Sequence, residues 1–352
     1  MKKSPQWYRG RFRNPLPMKS NLVGALFNSF SKSPYRIPSK PLPVINPDPA
    51  LIGKASSTSL QVTWLGHSTL YIVINGVRIL TDPVWGSRAS PVSWAGPQRW
   101  YKPLISIEKL PVPDAVLISH DHYDHLDMYT IKKIKHWKTA FIVPLGVGVH
   151  LEKWGVDSRK IVELDWWEQN TVKNVVITAT PARHASGRSA TDRNKTLWCS
   201  FAVTGTTKRV WYSGDTGFFP EMADIGKRLG PFDLTMIETG AYSQWWPDWH
   251  SGPEQAVFAH ILLRGKVFLP IHWGLFSLAY HSWTEPVERV MAITKRLKVK
   301  VLTPRPGEIL KVNRKTITKR WWPQIPWVNS IKNPIHSSLL KKDVNLIRNT
   351  NK

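Results

Sequence analysis

Within six residues the chain places His120, Asp121, His122, Tyr123, Asp124 and His125. Three imidazoles and the Asp124 carboxylate at this spacing are metal-binding chemistry. In an extended or tightly turning loop, residues two apart can point the same way, so His120 and His122 can bind one ion while Asp124 and His125 turn toward a second. A mixed nitrogen and oxygen donor set suits zinc; iron or manganese would fit it as well. Isolated candidates recur downstream at His184, at Asp215 in Ser213-Gly214-Asp215-Thr216-Gly217, and at His272 in Ile271-His272-Trp273-Gly274. A lone histidine after a strand is usually a hydrogen-bonded structural residue. Beside so dense a motif, three such residues read as further ligands. Two cations a few ångströms apart lower the pKa of a shared water from about 16 toward roughly 7, and the natural reaction is hydrolysis of a phosphodiester or of another anionic ester or lactone.

Each candidate follows an apolar run of strand length. Ala115–Ile118 leads into the dense motif, Val175–Thr180 precedes His184, Val210–Ser213 precedes Asp215 and Val267–Pro270 precedes His272. The candidates should therefore gather on loops at one edge of the sheets. Leu60–Trp64, Leu70–Ile74 and Val77–Leu80 read as consecutive strands, the last two joined by the hairpin turn Asn75-Gly76. Further strands are expected at Ala140–Val143, Trp198–Val203, Leu234–Ile237 and Val299–Leu302. Helices are expected at Met128–Trp137, Phe219–Leu229, Pro253–Leu263 and Pro286–Arg296. A meander first and strand-then-helix later suggest two sheets packed face to face with helices outside.

The chain has 352 residues, of which 42% are apolar and 21% charged, so disorder as a class is excluded. Its single cysteine, Cys199, rules out a disulfide-stapled scaffold and favours a reducing compartment. The formal charge is +25. Residues 1–59 and residues 311–352 each carry ten Lys or Arg against one acidic residue, so the ends hold 18 of the 25 excess charges. Proline at Pro15, Pro17, Pro38, Pro41, Pro43, Pro47 and Pro49 denies helix and central strand to the first segment. Three parts are expected: a basic N-terminal arm packed on the body (1–59), the hydrolase body (60–310) and a basic tail carrying Trp321, Trp322 and Trp327 (311–352). Ser4-Pro5-Gln6-Trp7-Tyr8-Arg9 stands where a secretion signal would be apolar, and Leu22–Phe30 is too short to span a bilayer. A cytoplasmic protein, at most peripheral on the inner face of the membrane, is expected.

The order His120-x-His122-x-Asp124-His125, His184, Asp215, His272 resembles the ligand pattern of the metallo-β-lactamase superfamily, from about Leu60 to Leu310. Within it, Trp64-Leu65-Gly66-His67-Ser68, Leu80-Thr81-Asp82-Pro83, Arg88-Ala89-Ser90-Pro91, Leu164-Asp165-Trp166-Trp167-Glu168, Gly230-Pro231-Phe232-Asp233-Leu234 and His272-Trp273-Gly274 resemble the branch of N-acylphosphatidylethanolamine phospholipase D. Gly10-Arg11-Phe12-Arg13-Asn14-Pro15 is similar to that branch's N-terminal signature. Pro181-Ala182-Arg183-His184-Ala185-Ser186-Gly187-Arg188 and the segment around Tyr242, His281 and Trp283 resemble its bacterial relatives instead.

The resemblance implies an α/β fold, a four-layer αββα sandwich of two mixed sheets with helices on both outer faces. It implies that His120, His122 and His184 hold one zinc, that Asp124, His125 and His272 hold the other, and that Asp215 bridges. Asp124, Asp215 and His250 are the candidate catalytic residues. His67, Asp82, Glu238 and His281 are candidates for orienting ligands or meeting substrate. The activity implied is phosphodiester hydrolysis of an N-acylphosphatidylethanolamine-like phospholipid. The alternatives are a lactonase or ester hydrolase on a soluble anionic metabolite, and a membrane-associated protein that binds metal without turnover. Nineteen tryptophans and the basic ends make an anionic membrane surface a candidate partner. Nucleic acid is disfavoured, because the charge lies at the termini and no added RNA-recognition module separates the metal motifs.

Overall fold

A computed structural model describes residues 3–21, 24, 33–54 and 56–338. Most of the run Leu22–Phe30 and residues 339–352 of the basic C-terminal segment lie outside the described residues. The strands, in chain order, are β1 (Trp7–Tyr8), β2 (Arg11–Phe12), β3 (Leu60–Gly66), β4 (Thr69–Ile74), β5 (Val77–Thr81), β6 (Ala115–Leu117), β7 (Ala140–Pro144), β8 (Ile161–Leu164), β9 (Gln169–Val172), β10 (Val175–Thr180), β11 (Ser200–Thr204), β12 (Arg209–Tyr212), β13 (Leu234–Glu238), β14 (Phe268–Ile271) and β15 (Ile309–Lys311). The helices are α1 (Met128–Ile134), α2 (Gly148–Lys153), α3 (Met222–Leu229), α4 (Pro253–Leu262) and α5 (Glu285–Leu297).

Two large sheets result, in the orders β15-β3-β4-β5-β6-β7-β8 and β14-β13-β12-β11-β10-β9. Both are mixed in the same way. In the first, β15, β3, β4 and β5 run antiparallel and β5 to β8 parallel; in the second, β9 to β12 run antiparallel and β12 to β14 parallel. The Asn75-Gly76 turn joins β4 to β5 as expected, with both residues at positive φ (49° and 82°), the conformation a two-residue hairpin of this type requires.

Strand side chains alternate between two apolar environments, which is why β3, β4 and β5 are almost wholly buried. Val62, Trp64, Ile72 and Ile79 of the first sheet meet Ile177, Phe201, Val203 and Leu234 of the second in the central layer. Tyr71, Val73, Leu80 and Val116 face outward onto Ile131 and Ile134 of α1 and Leu151 of α2. Ala202, Trp211, Ile237 and Phe268 face outward onto α3, α4 and α5 through Met222, Val257 and Val290. The four layers are helix, sheet, sheet, helix, as expected.

Several elements depart from expectation. The helix after the dense motif ends at Ile134 rather than Trp137. Val299–Leu302 does not form a strand: Val301 makes one isolated bridge to Phe268. Ile161–Leu164, Gln169–Val172 and Ile309–Lys311 are strands that the sequence pattern did not mark. In the N-terminal segment, β1 pairs with β2, and Phe12 is fully buried. In the C-terminal segment Trp322 is buried, and Trp321 stacks on Trp273 at 5.2 Å, which stacks on Trp64 at 5.4 Å. These two rings face protein.

Candidate metal centre

The strand ends place the candidate ligands at one edge of the sandwich. The dense motif occupies the turn between β6 and α1, where Asp127 caps α1 by accepting from the backbone N–H of Tyr129 and Thr130. The loop tightens on His122, whose carbonyl accepts from the N–H of both His125 and Leu126. His67 follows β3, Asp82 follows β5, His184 follows β10, Asp215 follows β12 and His272 follows β14. Three of these non-glycine residues hold positive φ: His67 at 54°, Asp82 at 32° and His272 at 65°. Such conformations cost about 1–3 kcal/mol each and persist where surrounding contacts over-determine them. Here the determinants are visible, since the His67 carbonyl accepts from both the Trp64 indole (2.8 Å) and the His272 N–H (3.0 Å).

Three groups of ligand atoms gather, each within 4.8 Å: His67, Asp124, His125 and His272; His120, His122, His184 and Asp215; and Asp215, Glu238, His250 and His272. In the first, Asp215 Oδ1 also lies 3.1 Å from both His125 Nε2 and His272 Nε2, and Asp124 Oδ2 lies 3.4 and 3.3 Å from the same two nitrogens. Ligands about 2 Å from a tetrahedral zinc stand about 3.3 Å apart. His125 Nε2, His272 Nε2 and Asp215 Oδ1 are all buried without a hydrogen-bond partner among the described residues. Buried polar atoms this close need a cation or protons between them, so the donor set fits a divalent metal.

The second group has the same logic. His184 Nδ1–H donates to the Trp249 carbonyl at 2.8 Å, which leaves its Nε2 lone pair directed inward. His120 Nδ1–H donates to Ser119 Oγ at 3.0 Å, again leaving Nε2 inward. The two Nε2 atoms stand 3.2 and 2.8 Å from His122 Nδ1, and 3.8 and 3.9 Å from Asp215 Oδ2. Asp215 therefore faces both groups, one oxygen toward each.

The electrostatics agree. Burial opposes charge on His125 and His272, yet Asp215 and Asp124 outweigh it, holding His125 well above the usual imidazole range and His272 at about 10. Burial also opposes charge on Asp124 and Asp215, but the neighbouring imidazoles keep both carboxyls well below their usual range. Burial pushes His120 and His184 well below the ordinary histidine value, so both are neutral donors of a lone pair.

Behind the ligands, Asp82 accepts from His125 Nδ1–H (2.6 Å), from Ser119 N (2.7 Å) and Oγ (2.6 Å), and from the Tyr212 hydroxyl. Glu238 accepts from His250 Nδ1–H at 2.7 Å and from the Thr216 N–H at 2.6 Å. His67 Nε2–H donates to Asp124 at 2.9 Å. His281 is outside all three groups: it stacks on Tyr242 at 4.4 Å, and its Nδ1–H donates to the Ser282 carbonyl. Sequence reasoning did not single out Ser119, Tyr212 or the Trp249 carbonyl, whose roles depend on contacts between distant segments. Asp121 stood inside the motif, where it signalled nothing by spacing; it accepts from the Gly187 N–H (2.7 Å) and Thr196 Oγ1 (2.9 Å), pinning the loop that carries His184.

A cavity of about 310 Å³ opens on His122, Asp124, Asp215 and His250, and Trp245, Trp246, Trp249 and Leu278 wall it. Ser20 and Asn21 of the N-terminal segment complete its rim.

Comparison with known proteins agrees with this geometry. A family described as Beta-lactamase superfamily domain matches residues 77–273. An uncharacterized protein of Mycobacterium tuberculosis (strain ATCC 25618 / H37Rv) is 44% identical over 289 residues, 81% of this chain and 77% of that protein. The N-acyl-phosphatidylethanolamine-hydrolyzing phospholipase D 1 of Caenorhabditis elegans is 40% identical over 235 residues, 63% of this chain and 66% of that protein. Among solved structures, a metallo hydrolase from the archaeon Ignicoccus hospitalis KIN4/I superposes with a TM-score of 0.57 at 24% identity, covering 73% of this chain and 100% of that one. With the sandwich, the strand-end ligands and the matched domain in agreement, the chain belongs to the metallo-β-lactamase superfamily of metal-dependent hydrolases.

Proposed function

We propose that the protein is a binuclear zinc hydrolase, a phosphodiesterase of phospholipase D type acting on N-acylphosphatidylethanolamine-like phospholipid. The observation that carries this reading is the cavity in which His122, Asp124 and Asp215 lie against a wall of Trp245, Trp246, Trp249 and Leu278. Such a site offers a charged floor to a phosphoryl group and an apolar wall to an acyl chain. Similarity to the phospholipase of Caenorhabditis elegans supports the substrate class.

In this reading His120, His122 and His184 would hold one ion and Asp124, His125 and His272 the other, with Asp215 facing both groups. The pair of cations would supply hydroxide at neutral pH and neutralise charge on the phosphoryl oxygens. The chain's own residues do the rest. Asp82 fixes His125 as the Nδ1–H tautomer, and the Trp249 carbonyl does the same for His184. In hydrolysis the water oxygen joins phosphorus and the phosphorus–oxygen bond to the head alcohol breaks. His250, anchored by Glu238 and facing the cavity, gives the leaving oxygen its proton. The tryptophans exclude water from that exchange. A phospholipid substrate makes the enzyme peripheral to a membrane; among the described residues no helix is long and apolar enough to cross one.

The test compares N-acylphosphatidylethanolamine, bis-p-nitrophenyl phosphate and a sugar lactone as substrates of the purified protein. Preference for the lipid supports the reading, and turnover of the lactone alone overturns it. Asp215→Asn should remain folded by circular dichroism and lose roughly 10³-fold or more in kcat; retained activity would contradict its placement between the ions.

A further inference from the structure

Beside the metal centre lies a second cavity of about 790 Å³, which the proposed chemistry does not use. It is bounded by the segment 36–42, the segment 96–100, Arg88 and Ser277. Arg36, Lys40, Arg88 and Arg99 line it, and among the described residues no carboxylate does. Among the described residues, the hydrogen bonds that these arginines make go to neutral groups. Arg36 Nε donates to the Ala279 carbonyl at 2.8 Å; Arg88 donates to the carbonyls of Ser93 (3.1 Å) and Gly96 (2.6 Å) and to Gln98 Oε1 (3.1 Å). Arg99 reaches only the Gly86 carbonyl, at 3.4 Å, and its buried Nε has no partner among the described residues. Ser277 Oγ is likewise buried without one. Burial lowers the basicity of Arg36 and Arg99, with Tyr280 at Arg36 and Tyr101 and Asp127 at Arg99 offsetting only part of the effect.

Four cations around one cavity, with the buried Arg99 Nε lacking a partner among the described residues, favour an anion there. A phosphate group, with at least three acceptor oxygens and a charge of up to about −2, matches them better than the single charge and two oxygens of a carboxylate. The site adjoins the metal centre through one stretch of chain: Ser277 lines the basic cavity and Leu278 lines the cavity over the metal ligands. Its surroundings also include exposed apolar side chains. Ile37 is 59% exposed, and Trp94, between the two carbonyls that Arg88 holds, is 79% exposed.

We propose that this basic cavity, lined by Arg36, Lys40, Arg88 and Arg99, is a phosphate-binding site separate from the metal centre. It takes the phosphate of a lipid headgroup or of a free phosphate compound. The site stands on these residues alone and does not depend on which substrate the metal centre hydrolyses.

The test uses the full metal-loaded chain in two variants. Lys40→Glu reverses an exposed charge in the cavity, and Lys295→Glu reverses an exposed charge on α5 as a matched control. Inorganic phosphate and glycerol 3-phosphate are titrated calorimetrically, and binding to phosphatidylglycerol–phosphatidylcholine vesicles is measured by flotation. Metal content is determined on the same preparations, so that a damaged metal centre is recognised separately. The expected result is about tenfold weaker binding in Lys40→Glu and no change in Lys295→Glu. Loss of vesicle binding identifies a headgroup as the ligand, and loss confined to the soluble probes identifies a free phosphate compound. Binding that is the same in Lys40→Glu as in the unmodified chain, or that falls equally in Lys295→Glu, overturns the proposal.

Discussion

Asp82 illustrates how much of the site is built behind the ligands. Its carboxylate receives two donors from Ser119, one from His125 and one from Tyr212, which stands 130 positions away in sequence. Asp82→Ala removes the acceptor that fixes the His125 tautomer, and should weaken metal affinity about tenfold to a hundredfold in a chelator competition. Unchanged affinity would show that His125 is oriented by something else. His250→Gln tests a different role: kcat should fall by roughly 10² to 10⁴ while metal content stays the same. At this scale the candidate metal ligands were legible because four of them crowd into six positions. Asp82 and Glu238 were legible only through the family resemblance. Ser119 and Tyr212 were not legible at all, because a hydroxyl in a strand or at its end carries no spacing signal until the sheets are paired.

Elements hold the loops at the edge, and buried polar clamps hold the elements. The Asp248 carboxylate, fully buried, lies 2.9 Å from Arg183 and accepts from the Lys19 N–H, from Ser337 Oγ and from the Ser338 N–H. Arg183 directly precedes His184, so the clamp ties both terminal segments to a candidate ligand. Asp248→Ala leaves a buried guanidinium without its carboxylate and should cost about 3–5 kcal/mol in urea unfolding. A loss below about 1 kcal/mol would mean that the terminal segments bind without it. In α4, burial pushes His260 down to about 4, where its Nδ1 meets Thr235 Oγ1 at 2.7 Å. The folded value lies below the unfolded one, so this contribution is complete above about pH 6.5. It declines as the unfolded chain takes up a proton between there and pH 4, by at most about 3 kcal/mol. His260→Gln should flatten that part of the stability profile, and an unaltered slope would contradict it. Strands with continuous apolar runs, such as Ala115–Leu117, could be read directly. Gln169–Val172 was missed because an edge strand with polar residues has no apolar run to read. Val299–Leu302 was misread because Val299 and Val301 pack into the α3–α5 layer and Leu302 into the central layer, with a single isolated bridge to Phe268 in place of a paired strand.

For the whole molecule, the sandwich brings carboxylates and imidazoles from distant parts of the chain within about 3.3 Å of one another, as in His272 with Asp124 (3.3 Å) and His67 with Asp124 (2.9 Å). Stripping metal with a chelator should therefore lower the thermal midpoint, by the equivalent of about 4 kcal/mol when free metal would otherwise stand a thousandfold above its dissociation constant. A midpoint indifferent to metal would mean that the ligands are held together by protein contacts alone. The layer order could be read from the succession of meander and strand-helix units. The inward packing of Trp321 and Trp322 could not, because their basic neighbours gave that segment the composition of a solvated tail. The most direct measurement is anomalous X-ray diffraction at the zinc edge on crystals of the purified protein. It should show two peaks, one among His120, His122 and His184 and one among Asp124, His125 and His272, with Asp215 touching both. A single peak, or none within reach of these side chains, would contradict the account.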